Sequence, residues 1–261
     1  MTNLLWGPFC LMSGCQLWLA WTPESTSEAE SELQNKLLEA CLTERDRHRY
    51  NRYRPIQKKR QFLNVRLSVR EVLRRTLGVD AADTVLETTE SGQPIVLDGL
   101  GRTRVGVSLS HTEKLTAIVL SDNQYGPGVD IETVQPLNAG TFGRSFLSRF
   151  EHDWMAEEGL AEDQNALLVV WTLKEALWKS LGGPRNLGLG DIITEYCSKG
   201  LAIHFGCNQG EKKAVDVHFF GHQFDIPFEL KNYTSIELQN ANVSAFVGCV
   251  ILSHQGLVDR S

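Results

Sequence analysis

The chain has 261 residues, 42% of them hydrophobic and 22% charged, enough apolar surface for one large domain or two modest ones and too much for wholesale disorder. Its net charge of −6 argues against a protein that coats nucleic acid or an anionic membrane along its length. The average hides an asymmetry. Residues 43–75 carry ten Arg and two Lys against three acids, a local net of +9, which leaves −15 for the remainder. A basic patch inside an acidic chain fits a localised phosphate-bearing ligand, and equally a solvated basic helix face.

The N-terminal stretch from Leu4 to Trp21 is apolar, but no Lys or Arg precedes Lys36, so the basic start of a signal peptide is missing. No stretch reaches membrane-spanning length without polar interruption. Gln16–Trp21 followed by Thr22-Pro23 reads as a strand ending in a turn. The six cysteines are scattered, with no CxxC pair or matching His spacing, which supports neither a zinc site nor a disulfide framework and fits reduced thiols in a cytoplasmic protein.

Residues 24–40 are Glu/Ser-rich and then place Leu33, Leu37 and Leu38 at helical spacing. Residues 57–77 form the clearest helix of the first half, with Phe62, Val65, Val69, Val72 and Leu73 at three- and four-residue intervals and Gly78 as a stop. Short strands follow at 85–89 and 95–97, then a hairpin from 105–110 and 116–120 whose turn carries His111. The loop-forming stretch 121–128 is the natural join between two halves. Beyond it come a strand at 129–132, helices at 142–158 and 165–181, and strands to the end, including 245–252.

Asp130 and Glu132 flank Ile131 on a short strand. Period two sends both carboxylates off one face, roughly 7 Å apart, with Val129 and Ile131 toward the core. A bare D-x-E most often means a solvated edge strand, but paired acids also suit a divalent cation such as Mg²⁺. In the helix WTLKEALWKSLG (171–182), Glu175 and Lys179 stand four apart, as in a surface ion pair, while Trp171 and Trp178 share an apolar face with Leu167 and Leu181. A third carboxylate and lysines facing the acid pair would form a site for a metal-bound pyrophosphate, one acid activating a hydroxyl and a lysine stabilising the leaving group.

GVDIE (128–132) and WTLKEALWKSLG resemble the two signature motifs of the Sfp-type 4′-phosphopantetheinyl transferase family. SLSHT (108–112), GQP (92–94), RQFLNVRLSVREVL (60–73) and SFLSRFEHDWM (145–155) resemble further pieces of that family, in the same order. The resemblance implies an α/β (α+β) fold, a pseudo-dimer of two similar helix-plus-small-sheet halves, with coenzyme A and metal in the cleft between them. Residues 1–125 would be the half carrying the coenzyme A-binding basic helix and hairpin, and 126–261 the half carrying the metal and catalytic motifs.

The same resemblance implies residue roles. Asp130, Glu132 and Glu175 would hold Mg²⁺, with Glu175 also the base for the carrier serine and Lys179 beside the bridging oxygen. Lys174 would touch phosphate. Ser110 and His111 would take the 3′-phosphate of coenzyme A, with added charge from Arg60 and Arg66. The implied partners are coenzyme A and an apo acyl or peptidyl carrier protein, with no nucleic acid and no membrane, for a cytoplasmic monomer. Two rivals stay open on the residues alone: a Mg²⁺-dependent nuclease or phosphodiesterase using the same acids, and a nucleic-acid-binding module using segment 45–75.

Overall fold

The structure is a computed structural model and describes residues 4–21, 42–78, 85–89, 92–98, 100–122, 125–134, 136–185, 187–197, 200–206, 212–213, 217–225 and 244–253. The expected helical stretch with Leu33, Leu37 and Leu38 lies outside the described residues. The fold is mixed α/β and divides into two compact units, Met1–Thr89 with Pro94–Asn123, and Glu90–Gln93 with Gln124–Ser261.

In the first unit, strands β1 (Leu4–Met12), β2 (Cys15–Trp21), β3 (Val85–Thr88), β4 (Pro94–Leu97), β5 (Thr103–His111) and β6 (Leu115–Ser121) form one sheet in the order β1-β2-β6-β5-β4-β3. Each described neighbour pairing is antiparallel. Helices α1 (Glu44–Arg52) and α2 (Ile56–Leu77) accompany it. The periodic residues Val65, Val69, Val72 and Leu73 of α2 are buried in one core with Trp18, Leu86, Val96, Val107, Ile118 and Leu120 of the sheet. Each such side chain contributes roughly 1.5–3 kcal/mol by leaving water, and this burial rather than propensity holds the helix in place. α2 stops at Gly78, whose φ of 61° is left-handed and whose N–H donates to the Arg74 carbonyl.

Two elements here were not read from the sequence. The stretch before Leu17 is a strand, β1, paired with β2. The segment after Thr43 is helix α1, capped by the Thr43 hydroxyl, which accepts from the Asp46 N–H.

The second unit opens with β7 (Tyr125–Thr133) and continues through α3 (Ala139–Arg144), α4 (Arg149–Glu157) and α5 (Gln164–Ser180). A 3₁₀ turn at Leu189–Asp191 leads to β8 (Ile192–Cys197), β9 (Gly200–Gly206), β10 (Lys212–Lys213), β11 (Val217–Asp225) and β12 (Ser244–Ser253). These strands make two antiparallel sheets, β11-β12-β7 and β10-β9-β8.

The expected loop at 121–128 is mostly strand, because β7 begins at Tyr125 and pairs through Gly128 with Val250. Pro127 is tolerated there since β7 lies at the edge of its three-stranded sheet. The single helix expected at 142–158 is two. Ser148 accepts from the Glu151 N–H while the Glu151 carboxylate accepts from the Ser148 N–H, a capping box that starts a new helix. No helix among the described residues is long and apolar enough to cross a membrane.

Candidate active site

The second unit assembles its candidate site from β7 and α5. Val129 and Ile131 are buried at 0% and 2% exposure, while Gly128, Asp130 and Glu132 all turn toward α5, as period two requires. A Cβ on Gly128 would lie 1.8 Å from the Ala176 carbonyl oxygen and 2.8 Å from the Ser180 nitrogen. On neighbouring β12, Gly248 pairs with Asp130 and would meet the Thr172 backbone at 3.0 Å. Glycine at both places therefore lets the helix backbone lie directly on the sheet and bring its polar residues to the strand's carboxylates. Gly128→Ala is expected to push α5 off β7, at a cost of roughly 3 kcal/mol from overpacking. Thermal unfolding measures that cost, and activity should fall with it because Glu175 and Lys179 adjoin the displaced residues.

At this contact the Lys179 ammonium donates to Asp130 Oδ1 at 2.6 Å, with Asp130 6% exposed and Lys179 25%. The Trp171 indole N–H donates to Glu132 Oε1 at 3.1 Å. Burial pushes the Glu132 carboxyl above its ordinary pKa, and the Asp130 charge adds to this while the Trp171 hydrogen bond opposes it. Burial likewise raises Glu175, with Lys179 pulling down and Asp130 pushing up. Asp130, Glu132 and Glu175 thus share one electrostatic neighbourhood with the ion-paired Lys179.

Among the described residues no three such groups stand as a ready-made metal cage. Mg²⁺ ordinarily uses only one or two protein carboxylates and completes its shell with water and phosphate oxygen. Half-buried oxygen donors such as Glu132 and Glu175, whose carboxyls burial and the nearby Asp130 charge push upward, fit that ion.

Lys174, one residue before Glu175, does not meet the expectation of a phosphate contact. It is completely buried, and its ammonium donates to Glu151 Oε2 at 2.5 Å and to the carbonyls of Phe146 and Leu189 at 3.0 and 3.2 Å. All three N–H donors of an ammonium are thereby used inside the fold.

In the first unit, the Gln61 amide donates to the Thr112 carbonyl at 2.7 Å. This holds the early turns of α2, where Arg60 is half-buried, against the β5–β6 turn, where Ser110 and the exposed His111 end β5. Arg66 departs from expectation. Its guanidinium forms a nearly buried ion pair with Asp46 at 2.8 Å, side chains 10% and 9% exposed, and lies over the Phe62 ring. It joins α2 to α1.

Other basic residues are also internally engaged. Arg74 and Arg75 grip Glu71 and, with the Arg74 hydrogen bond foremost, bring its carboxyl down to about 2. Arg45, His48, Arg49 and Arg52 line an open groove with Thr88, and here too Arg45 pairs with Glu87 at 2.9 Å and Arg49 donates to the Thr88 hydroxyl at 2.8 Å. The charge count located this segment, but only helical geometry shows that these four share a face.

Acids on an edge strand, with a third acid and a lysine on the helix above them, suit chemistry at a phosphate ester or anhydride. The sequence comparisons make the class specific. The 4′-phosphopantetheinyl transferase superfamily matches residues 126–240, which include all of β7 but Tyr125 and the whole of α5. The 4′-phosphopantetheinyl transferase HetI of Nostoc sp. is 27% identical over 157 residues, 59% of this chain and 65% of that protein. The match to this relative therefore spans less than two thirds of its length. The holo-[acyl-carrier-protein] synthase of Staphylococcus saprophyticus is 33% identical over 87 residues, 31% of this chain and 72% of that protein. This chain belongs to the 4′-phosphopantetheinyl transferase superfamily. The nuclease and nucleic-acid-binding readings give way to that assignment.

Proposed function

We propose that this protein transfers the 4′-phosphopantetheine group of coenzyme A to a serine of an apo acyl or peptidyl carrier protein, leaving 3′,5′-ADP. The observation that carries the reading is the 2.6 Å contact of Lys179 with Asp130, which joins the helix bearing Glu175 to the strand bearing the acid pair. Asp130, Glu132 and Glu175 would hold Mg²⁺, which when bound supplies neutralisation of pyrophosphate charge.

Glu175 takes the proton from the carrier serine hydroxyl, directly or through a water. The serine oxygen forms its bond to the phosphorus bearing the pantetheine, and the bond from that phosphorus to the bridging oxygen breaks. The electron pair leaves on 3′,5′-ADP, whose new charge Lys179 offsets.

Ser110, His111 and Arg60 of the first unit are proposed to take the 3′-phosphate. His111→Ala should then raise KM for coenzyme A about tenfold, the scale of a hydrogen bond to a charged group. For 3′-dephospho-coenzyme A, KM should stay close to that of the unsubstituted protein. Equal effects on the two substrates would remove His111 from the phosphate.

Each unit sets a long helix, α2 or α5, beside antiparallel strands, which supports reading the two as halves of a pseudo-dimer, 1–125 and 126–261. We further propose a cytoplasmic monomer. The test of the reaction is intact-mass spectrometry of apo carrier protein incubated with this protein, coenzyme A and Mg²⁺. The expected result is a mass gain of one phosphopantetheine, abolished by EDTA. No gain on several unrelated carriers would overturn the reading.

A further inference from the structure

Trp171 would serve as an apolar anchor of α5 by its bulk alone, and a phenylalanine would satisfy that need. The structure puts the rest of the side chain to use. Its ring is braced by Phe146 at 5.2 Å, edge-on at 79°, and by Phe142 at 5.3 Å, tilted at 46°. So held, its one polar atom, the indole Nε1, donates to Glu132 Oε1 at 3.1 Å. Glu132 lies two residues beyond Asp130 on the α5-facing side of β7, where the backbone register with β12, Glu132 opposite Phe246, keeps the strand from sliding.

We infer that Trp171 is a positioning residue for Glu132, holding one carboxylate oxygen so that the other is aimed at the cation. A glutamate side chain otherwise turns about three bonds, and its terminal torsion is broad. A donor fixed by two aromatic neighbours removes that freedom before the ion arrives. Hydrogen-bonded partners of this sort around a ligating carboxylate typically change metal affinity 10–100-fold. The inference rests on the reading of Glu132 as a magnesium ligand.

The test is Mn²⁺ binding to the full chain, followed by the electron paramagnetic resonance signal of the free ion, for the unsubstituted protein, Trp171→Phe and Glu132→Gln. Trp171→Phe keeps a ring between Phe142 and Phe146 and loses the N–H. It should weaken Mn²⁺ binding about 10–100-fold while the unfolding temperature in EDTA stays nearly unchanged. In turnover assays KM for Mg²⁺ should rise by a similar factor, with kcat at saturating Mg²⁺ preserved.

Unchanged Mn²⁺ affinity in Trp171→Phe, with weakened binding in Glu132→Gln, would overturn the inference and leave the ligand role of Glu132 standing. Unchanged affinity in both variants would remove that role, and the inference with it. Should Trp171→Phe fail to fold, benzothienylalanine placed at 171 keeps the bicyclic shape without the N–H, and the same two outcomes apply.

Discussion

Glu175→Gln is expected to lower transfer by about 10²–10⁴-fold, the range for removing a general base, while leaving the fold intact. Glutamine has the same shape and helix preference but can neither take the serine proton nor neutralise a cation. Stability in the absence of metal supplies a second readout, with a definite sign. Burial raises the Glu175 pKa in the folded protein, so over the window above its ordinary value the native state binds more protons than the unfolded chain. Stability then falls as pH rises through that window and is regained as pH falls below it.

Glutamine removes this dependence at position 175 and leaves that of Glu132, whose pKa burial also raises. In EDTA the variant should therefore be at least as stable as the unsubstituted protein at neutral pH and show a flatter stability profile above pH 5. Circular dichroism melts across pH 5–8 alongside the mass-spectrometric assay test both halves. Near-normal transfer would end the proposed role of Glu175.

Lys174→Met should do the reverse, damaging the fold first. It leaves the Glu151 carboxylate, 1% exposed, without its cation and removes the donor from the Phe146 and Leu189 carbonyls. Truncating one partner of a buried ion pair costs about 3–5 kcal/mol, which in a chain of this size lowers the unfolding temperature on the order of 10 °C. Glu151 also closes the capping box of α4, so that helix and the α3–α4 connection should loosen together. Replacing both partners, Lys174→Met with Glu151→Gln, should recover part of the loss because no buried charge is stranded. A Lys174→Met protein that melts like the unsubstituted one but binds coenzyme A poorly would restore the phosphate contact that the structure argues against.

The two lysines of α5 show how far sequence reasoning reaches. Lys174 and Lys179 are five residues apart in one motif and carry the same charge; spacing puts them on different sides of the helix but names no partner for either. Their partners lie 23 and 49 residues away, and only tertiary packing assigns one to the interior and the other to the acid pair. Arg66 is the same case, its fate decided by Asp46 on a different helix. Trp171 read as an apolar anchor because periodicity sees its bulk and not where its N–H points. The break between α3 and α4 was legible, since Ser148 and Glu151 have the capping-box spacing, but apolar periodicity running across it masked the signal.

What the sequence determined by itself follows from rules that act within a few residues. The course of α2 and α5, the stop at Gly78, the hairpin ending at His111, and the alternation that turns Asp130 and Glu132 away from Val129 and Ile131 depend on backbone periods and turn chemistry alone. The tertiary structure decided which charges meet. Glycines at 128 and 248 set how closely α5 lies on the sheet, and the long side chains then pair with whatever the chain has folded beside them. A lysine ammonium on four rotatable bonds carries no local record of its partner, which is why burial, pairing and pKa in this site belong to the fold.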